Sequence, residues 1–124
     1  MSALSVTKHI YNILIQNEDI KSMVGNNIFP LVAEDNATFP FVIIKRNTVT
    51  PNYHKMGVAQ DLSTVTIAIV TTAYAQSIEI SEKVRSLLEN YVGGVFQRIR
   101  LQDVNEAYID DAYVQELNFE CYVL

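Results

Sequence analysis

The sequence is poor in the residues that mark disulfide-rich, collagen-like and low-complexity proteins. It has one cysteine, no tryptophan, four glycines and three prolines among 124 residues. Because a disulfide needs two cysteines, Cys121 cannot form one within the chain. The few glycines and prolines exclude a collagen-like or low-complexity chain. The first residues, MSALSVTKHI, lack the charged start and long apolar run of a signal peptide, so we expect a cytosolic protein.

Positive charge is also scarce. Nine Lys and Arg residues stand against 14 Asp and Glu residues, which gives a formal charge of −5. No segment gathers the basic residues into a stripe, so the electrostatic footprint of a nucleic-acid-binding protein is missing. No apolar run approaches the roughly 20 residues of a membrane-spanning helix. With 49% hydrophobic residues, the chain is predicted to fold as a single domain over residues 1–124.

Helical periodicity appears first near the start of the chain. It predicts a helix that begins at Ser2 or Ser5, with that serine as N-cap, and ends at Gln16. Asn17 is followed by two acidic residues, which predicts the N-cap of a short second helix that ends at Gly25.

The longest helical stripe begins at Ala75. The pair Gly93-Gly94 is predicted to end this helix. The apolar members of the stripe are Ile80, Val84, Leu87, Leu88 and Tyr91.

Three strands are predicted before that helix. The run NNIFPLV indicates a brief edge strand, because Pro30 has no amide hydrogen to donate to a neighbour. Phe41 to Arg46 opens with four consecutive apolar residues, which is typical of a central strand covered on both faces. Ser63 to Thr72 alternates between apolar and polar residues and predicts a strand with one buried side. That side carries Val65, Ile67 and Ile69.

Two further strands are predicted at the end of the chain. Apolar and polar residues alternate around Leu101 and again around Phe119, and the two runs are expected to join near Asp110-Asp111. In the expected register Arg100 lies opposite Glu120 on the outer face, while Leu101 meets Phe119 inside.

The order of these elements predicts an α+β fold. We expect a mixed, mainly antiparallel sheet of four to five strands, with two main helices packed largely on one face. The other face and the edge strands must then be solvated, protected or paired with another chain.

Motifs for catalysis or metal binding are missing from the sequence. It has no Gly-rich phosphate loop, no nucleophile elbow and no cysteine pair. His9 and His54 have no Cys or acidic cluster at ligand spacing, which favours solvated histidines over metal ligands. Cys121 lies on the apolar side of the last strand, which favours a small buried hydrophobe over a nucleophile. We therefore expect no catalytic site, no metal and no cofactor.

An acidic cluster is the remaining candidate for chemistry. Glu106, Asp110, Asp111 and Glu116 suggest a paired-carboxylate hydrolase as one interpretation. A solvated turn is the favoured interpretation, because Asp favours turns and charged groups favour exposure.

The order of features resembles a family of small tail-completion proteins of long-tailed bacteriophages, related in fold to tail terminators. An N-terminal helix leads into VGNNIFPLVA, which is similar to the family's passage into a first strand ending at a proline. FPFVIIKRNTVTPN resembles its aromatic-proline strand, and ISEKVRSLLENY resembles its helix after the third strand. An Arg-rich strand, an acidic turn and the ending NFECYVL complete the resemblance over nearly the whole chain.

The resemblance implies a structural protein without an active site. Such a protein caps or completes the tail tube and joins it to the head, as a ring that is often hexameric. The implied partners are further copies of the chain, the tail tube protein and a head–tail adaptor, with DNA passing through the ring. The implied location is the virion, after assembly in the host cytoplasm. Acidic residues facing the bore would help DNA to slide through it.

The segment PNYHKMGVAQD is interpreted as a docking arm. The connection from Thr48 to Asp61 is too long and polar for a tight turn, and its aromatic and Met side chains are suited to interfaces. A mobile loop is the alternative interpretation of this segment. For Arg98 and Arg100, on the outer face of a later strand, the alternative to an interface is an exposed ion pair. The candidate interface residues are Tyr53, His54, Lys55, Met56, Arg98 and Arg100.

Three classes of function remain open at this point. Tail completion or termination is preferred, with a neck or head-closure adaptor as a close variant. A non-phage protein-binding domain would be a stable monomer that captures a peptide at a sheet edge. A small enzyme would need a concave pocket with perturbed titrating groups, which nothing in the sequence predicts.

Overall fold

The computed structural model describes residues 3–53 and 59–123, which form a five-stranded sheet with three α-helices. The elements are α1 (Val6–Gln16), α2 (Glu18–Val24), β1 (Ile28–Pro30), β2 (Phe41–Tyr53), β3 (Ala59–Thr71), α3 (Tyr74–Leu88), β4 (Phe96–Ile109) and β5 (Ala112–Val123). The spatial order of strands is β1-β2-β3-β5-β4, with β1 parallel to β2 and the other neighbours antiparallel. The predicted α+β class is confirmed.

The first two helices lie where they were predicted, but only one of the two predicted caps forms. A 3₁₀ turn ends at Ser5, and the Ser5 hydroxyl makes no capping bond; it lies 3.4 Å from Nε2 of His9. The predicted cap at Ser5 is therefore wrong, because Ser5 has a turn-like ψ of 14° and lacks the extended backbone of an N-cap. The alternative cap, Ser2, lies outside the described residues. Asn17 does cap α2, since its Oδ1 accepts from the N–H of Ile20 at 3.1 Å. Gly25 ends α2 with a φ of 61°, as predicted.

The position of β2 differs from the prediction. The central strand is β3, and β2 lies one place from the β1 edge. Val42 and Ile44 are buried, but Phe41 and Ile43 on the opposite face are only partly buried. The prediction of a strand covered on both faces was wrong, because a short apolar run does not reveal on which face the helices pack. The short strand ending at Pro30 lies at the edge, as predicted.

The segment 48–61, predicted to be a long loop, is largely strand. Both β2 and β3 extend into it and pair with each other there. Thr48 pairs with Thr64, and their hydroxyl oxygens are 2.7 Å apart. Such β-branched pairs favour extended backbone despite their polarity. Pro51 is tolerated because β1 stops pairing with β2 at Ile44, so that no described strand needs its missing amide hydrogen.

The end of α3 also differs from the prediction. The helix ends at Leu88, before the Gly93-Gly94 pair. Asn90 has a φ of 64° and turns the chain in the left-handed conformation that Asn tolerates. Tyr91 lies beyond the helix, with its ring edge-on to Phe96 at a centroid distance of 6.1 Å.

The closing hairpin follows the prediction. Its turn is Asp110-Asp111, whose φ values of 52° and 62° are those of a two-residue turn with both residues left-handed. Arg100 pairs with Glu120 and Leu101 with Phe119, so the predicted register is confirmed.

The hydrophobic core lies between one face of the sheet and the three helices. Phe119 and Ile67 of the sheet are fully buried, together with Leu14 of α1 and Val84 of α3. Burial of each such side chain contributes about 1.5–3 kcal/mol before entropic costs. We call the opposite face, to which Thr66 and Asn118 belong, the open face.

Candidate functional site

A continuous row of hydrogen-bonded polar side chains crosses the open face. Asn47 Nδ2 donates to Thr66 Oγ1 at 2.7 Å, and Thr66 Oγ1 donates to Asn118 Oδ1 at 2.6 Å. Asn118 Nδ2 then donates to Asp103 Oδ1 at 2.6 Å. The row connects β2, β3, β5 and β4, and its groups satisfy one another while remaining close to solvent. This face is therefore suited to water or a polar partner.

The charged side chains of the open face balance one another. Because side chains alternate along each strand, the pairing register places six charged side chains of the described strands on this face. They are Lys45, Arg98, Arg100, Asp103, Glu116 and Glu120. The three positive and three negative groups cancel, so the net charge of −5 belongs to the rest of the chain. A channel lined by this face would be neutral overall.

Exposed apolar side chains collect at the two opposite margins of the sheet, along the edge strands β1 and β4. Nine large apolar side chains are exposed among the described residues, and we group eight of them into two margins. The ninth, Val92, lies in the segment 90–93, which hydrogen-bonds to Phe96 and Ile99 near the start of β4. The β1 margin consists of Leu4, Leu31, Val32 and Phe39. The β4 margin consists of Tyr74, Val104, Tyr108 and Ile109. Single exposed apolar residues are ordinary, but groups of them mark contact sites.

The β4 margin is built around a cluster of three tyrosines. The ring of Tyr113 lies between those of Tyr74 and Tyr108, at centroid distances of 5.6 and 4.9 Å. Glu106 Oε2 accepts hydrogen bonds at 3.0 Å from both Gln115 Nε2 and the Tyr74 hydroxyl. The pKa of Glu106 is lowered by these bonds, most by that from Gln115 and next by that from Tyr74. The carboxylate and the rings thus hold one another in place, and such pre-ordering reduces the entropic cost of binding.

The β1 margin borders a groove between α1 and β1, which we call the α1–β1 groove. Its lining includes Thr7, Lys8, Ile28, Pro30, Glu34 and Ile44, and it continues past Leu31 to Arg46. Leu31 donates its backbone N–H to the carbonyl of Ile44 at 2.8 Å and has a φ of 67°. A leucine in this left-handed region is strained, and such strain is concentrated at functional segments.

The residues proposed from sequence have different outcomes. His54, Lys55 and Met56 lie outside the described residues. Tyr53 is the last described residue of β2, so it belongs to a strand rather than to a loop. Arg98 and Arg100 lie on the open face of the edge strand β4, exposed to solvent, opposite Tyr122 and Glu120. Their role in an interface stays a prediction.

Two of the residues considered for chemistry, Cys121 and His9, are described by the structure. Cys121 is fully buried, which raises the pKa of its thiol to about 12 and favours the protonated, unreactive form, as predicted. His9 is partly buried and edge-on to Phe96, with centroids 6.3 Å apart, so it is not simply solvated.

Two classes of site are not found within residues 3–53 and 59–123. No group of three or more His, Cys, Asp or Glu side chains there is arranged to hold a metal ion. Over the same ranges, no helix has the length and apolar character needed to span a bilayer.

Neither margin could be recognised from the sequence, because the residues of each come from separate elements. The three tyrosines lie on α3, β4 and β5, and only folding brings them together. One signal was available: Tyr108 and Ile109 directly precede the Asp110-Asp111 turn, where polar residues are expected.

Comparisons with known proteins find a likeness in fold. No protein-family model matches the chain, and no curated protein matches it. Among solved structures, a chain in "Virion of native gene transfer agent (GTA) particle" is similar, with a TM-score of 0.82 and 16% sequence identity. The match covers 95% of this chain and 93% of that chain, so the two share one fold over nearly their whole lengths.

Proposed function

We propose that this chain is a single-domain structural subunit of a phage-like virion, which completes the tail tube and joins it to the head. In this proposal the subunits form a ring and carry no catalytic site. The observation that carries the proposal is the likeness in fold, over nearly the whole chain, to a chain of the gene transfer agent virion. The resemblance of the sequence to tail-completion proteins supports the finer role.

The distribution of exposed apolar groups supports assembly with other chains. Two separate apolar margins on a small acidic subunit are more than a soluble monomer needs, and each is suited to contact a neighbour. The outer side of the edge strand β4 is covered by the segment 90–93 at Phe96 and Ile99, and partner chains can cover the rest of this edge.

The open face supports the passage of DNA. A hydrated face with balanced charge would neither hold the phosphate backbone nor repel it strongly. Arg98 and Arg100 on this face, with Tyr53, His54, Lys55 and Met56, remain the predicted contacts to the tail tube or head–tail adaptor.

The proposal is tested by deleting the gene from the prophage or phage that carries it. After induction, we expect electron microscopy to show DNA-filled heads and unattached tails, with infectivity restored by a plasmid copy. A copy with Val92→Ser should restore infectivity equally well, because Val92 is exposed beside the start of β4 and is not among the residues of either margin. Normal, infective particles from the deletion strain would contradict the proposal.

The same micrographs separate the finer roles. A tail terminator predicts tails of irregular length in the deletion strain, because tube growth is no longer stopped. A neck or head-closure adaptor predicts tails of normal length and heads that lose DNA. Mass spectrometry of wild-type particles must in either case detect the chain.

A further inference from the structure

We infer that the contact between neighbouring subunits is head-to-tail, with the β4 margin of one copy seated in the α1–β1 groove of the next. This inference rests on the proposed function and names the surfaces that close the ring. The occupant of the groove is thus a second copy of this chain.

The pairing register places the two surfaces at the same level along the strands. Ile44, which lines the groove, pairs with Ile67, which pairs with Leu117, which pairs with Val104 at the β4 margin. The adjacent row on the same face leads from Val42 to Glu106. Val104, Glu106 and Tyr108 at the β4 margin lie on the helix-covered side of the sheet, as Ile44 does in the groove.

The groove and the β4 margin lie at the same position along the strands, and this favours a closed ring over a helical filament. A head-to-tail contact gives a ring when each subunit is rotated about the axis without moving along it. Surfaces at the same level, on opposite edges of one sheet, can meet in neighbouring copies with little such translation. The four spacings between β1 and β4, at about 4.8 Å each, separate the two edges by roughly 19 Å.

The chemistry of the two surfaces is complementary. The β4 margin offers aromatic rings around the Glu106 carboxylate, next to the acidic Asp110-Asp111 turn. The groove offers apolar walls with Lys8 and Arg46, against one carboxylate, Glu34.

The alternative contact, between two β4 margins, is disfavoured by charge. It would bring two Glu106 carboxylates and four turn aspartates to one surface, while Arg85, the basic side chain beside Val104, is already paired with Glu89 at 2.6 Å. Like charges brought together in this way oppose association.

Cross-linking between single-cysteine variants tests the inference. Val104→Cys places a thiol in the row of Ile44, and Leu31→Cys places one directly after Pro30, the β1 partner of Ile44, while the native Cys121 is buried. Purified variants are mixed at concentrations up to millimolar and treated with a short bismaleimide. We expect the mixture to cross-link on the order of tenfold faster than either variant alone, because a seated contact raises the effective thiol concentration.

Two controls make the result specific. Val92→Cys, mixed with either variant, reports random collision, because Val92 lies beside Phe96 and Ile99 at the opposite end of β4 from Tyr108. Adding Tyr108→Ser to the Val104→Cys variant is expected to slow the reaction toward that background, since it removes a ring of the tyrosine cluster. Cross-linking no faster than with Val92→Cys, or fastest within one variant alone, would overturn the head-to-tail contact.

A chain that carries both cysteines gives the ring size. Its own thiols lie too far apart for a short linker, so cross-linking must join different copies and end at the closed ring. Failure of the cysteine pair with normal virion incorporation would reject only this contact. Efficient cross-linking of a chain absent from virions would reject only the proposed function.

Discussion

Replacing Leu31 by glycine is expected to stabilise the isolated subunit, even though it removes a leucine. The φ of 67° at Leu31 costs a residue with a Cβ atom about 1–2 kcal/mol, and glycine adopts it freely. The side chain is 63% exposed, so its removal loses little buried area. The hydrogen bond from its backbone N–H to Ile44 does not depend on the side chain.

The expected magnitude is the difference between two effects. Relief of strain contributes about 1–2 kcal/mol, and the greater entropy of glycine in the unfolded chain subtracts about 0.5–1 kcal/mol. The free energy of unfolding should therefore rise by about 0.5–1 kcal/mol. Val32 is the matched control, because it is 68% exposed and its φ is not positive. Val32→Gly gains no relief and should lower the free energy of unfolding by about 0.5–1 kcal/mol.

Urea unfolding of the two variants and the wild type measures this difference. With unchanged m-values, we expect the midpoint to rise for Leu31→Gly and to fall for Val32→Gly. The sign of the change in the free energy of unfolding for Leu31→Gly tells the two effects apart, because loss of buried area lowers that free energy and relief of strain raises it. If both glycines lowered the midpoint equally, the strain assigned to Leu31 would not exist.

Three further predictions concern the core and the titrating groups. Phe119→Ala should lower the free energy of unfolding by about 3–5 kcal/mol in urea melts, because Phe119 is fully buried; a loss below about 1 kcal/mol would contradict its place in the core. The pKa of Glu106 is lowered in the folded state, mainly by the hydrogen bond from Gln115. The ionised carboxylate therefore adds to the free energy of unfolding above the ordinary carboxyl pKa, and this contribution is lost as pH falls through the folded-state pKa. The stability difference between wild type and Glu106→Gln should therefore shrink on acidification from about pH 5 to pH 3, and an unchanged difference would refute the hydrogen-bonded carboxylate. The Cys121 thiol, with its pKa raised to about 12, should react with maleimide only as fast as the chain opens, whereas immediate reaction in folded protein would show an accessible thiol.

The elements that could be predicted from sequence are those with strong local signals. The Asn17 cap and the Asp110-Asp111 turn formed because their side chains favour these conformations in almost any context. The pairing of Arg100 with Glu120 followed from the turn, since a two-residue turn determines which residues lie opposite each other.

The errors came from signals that depend on neighbours. The segment 48–61 was interpreted as a loop because it is polar, yet its threonines pair across an antiparallel hairpin. The Gly93-Gly94 pair was expected to end α3, but the helix ends at Leu88 and Asn90 then turns the chain with a φ of 64°. In each case the tertiary partner decided between conformations that the local sequence allowed.

The residue order by itself determined the α+β class, the sequence of helices and strands, and the burial of Cys121, because periodicity and backbone preference act over a few neighbouring residues. Only the tertiary structure decided which apolar side chains remained outside. Whether Tyr108 or Leu31 is exposed depends on which elements cover which edge of the sheet, and that is settled by packing between distant parts of the chain. The two margins at one level are a consequence of the strand register, which brings Ile44 and Val104 into a single row.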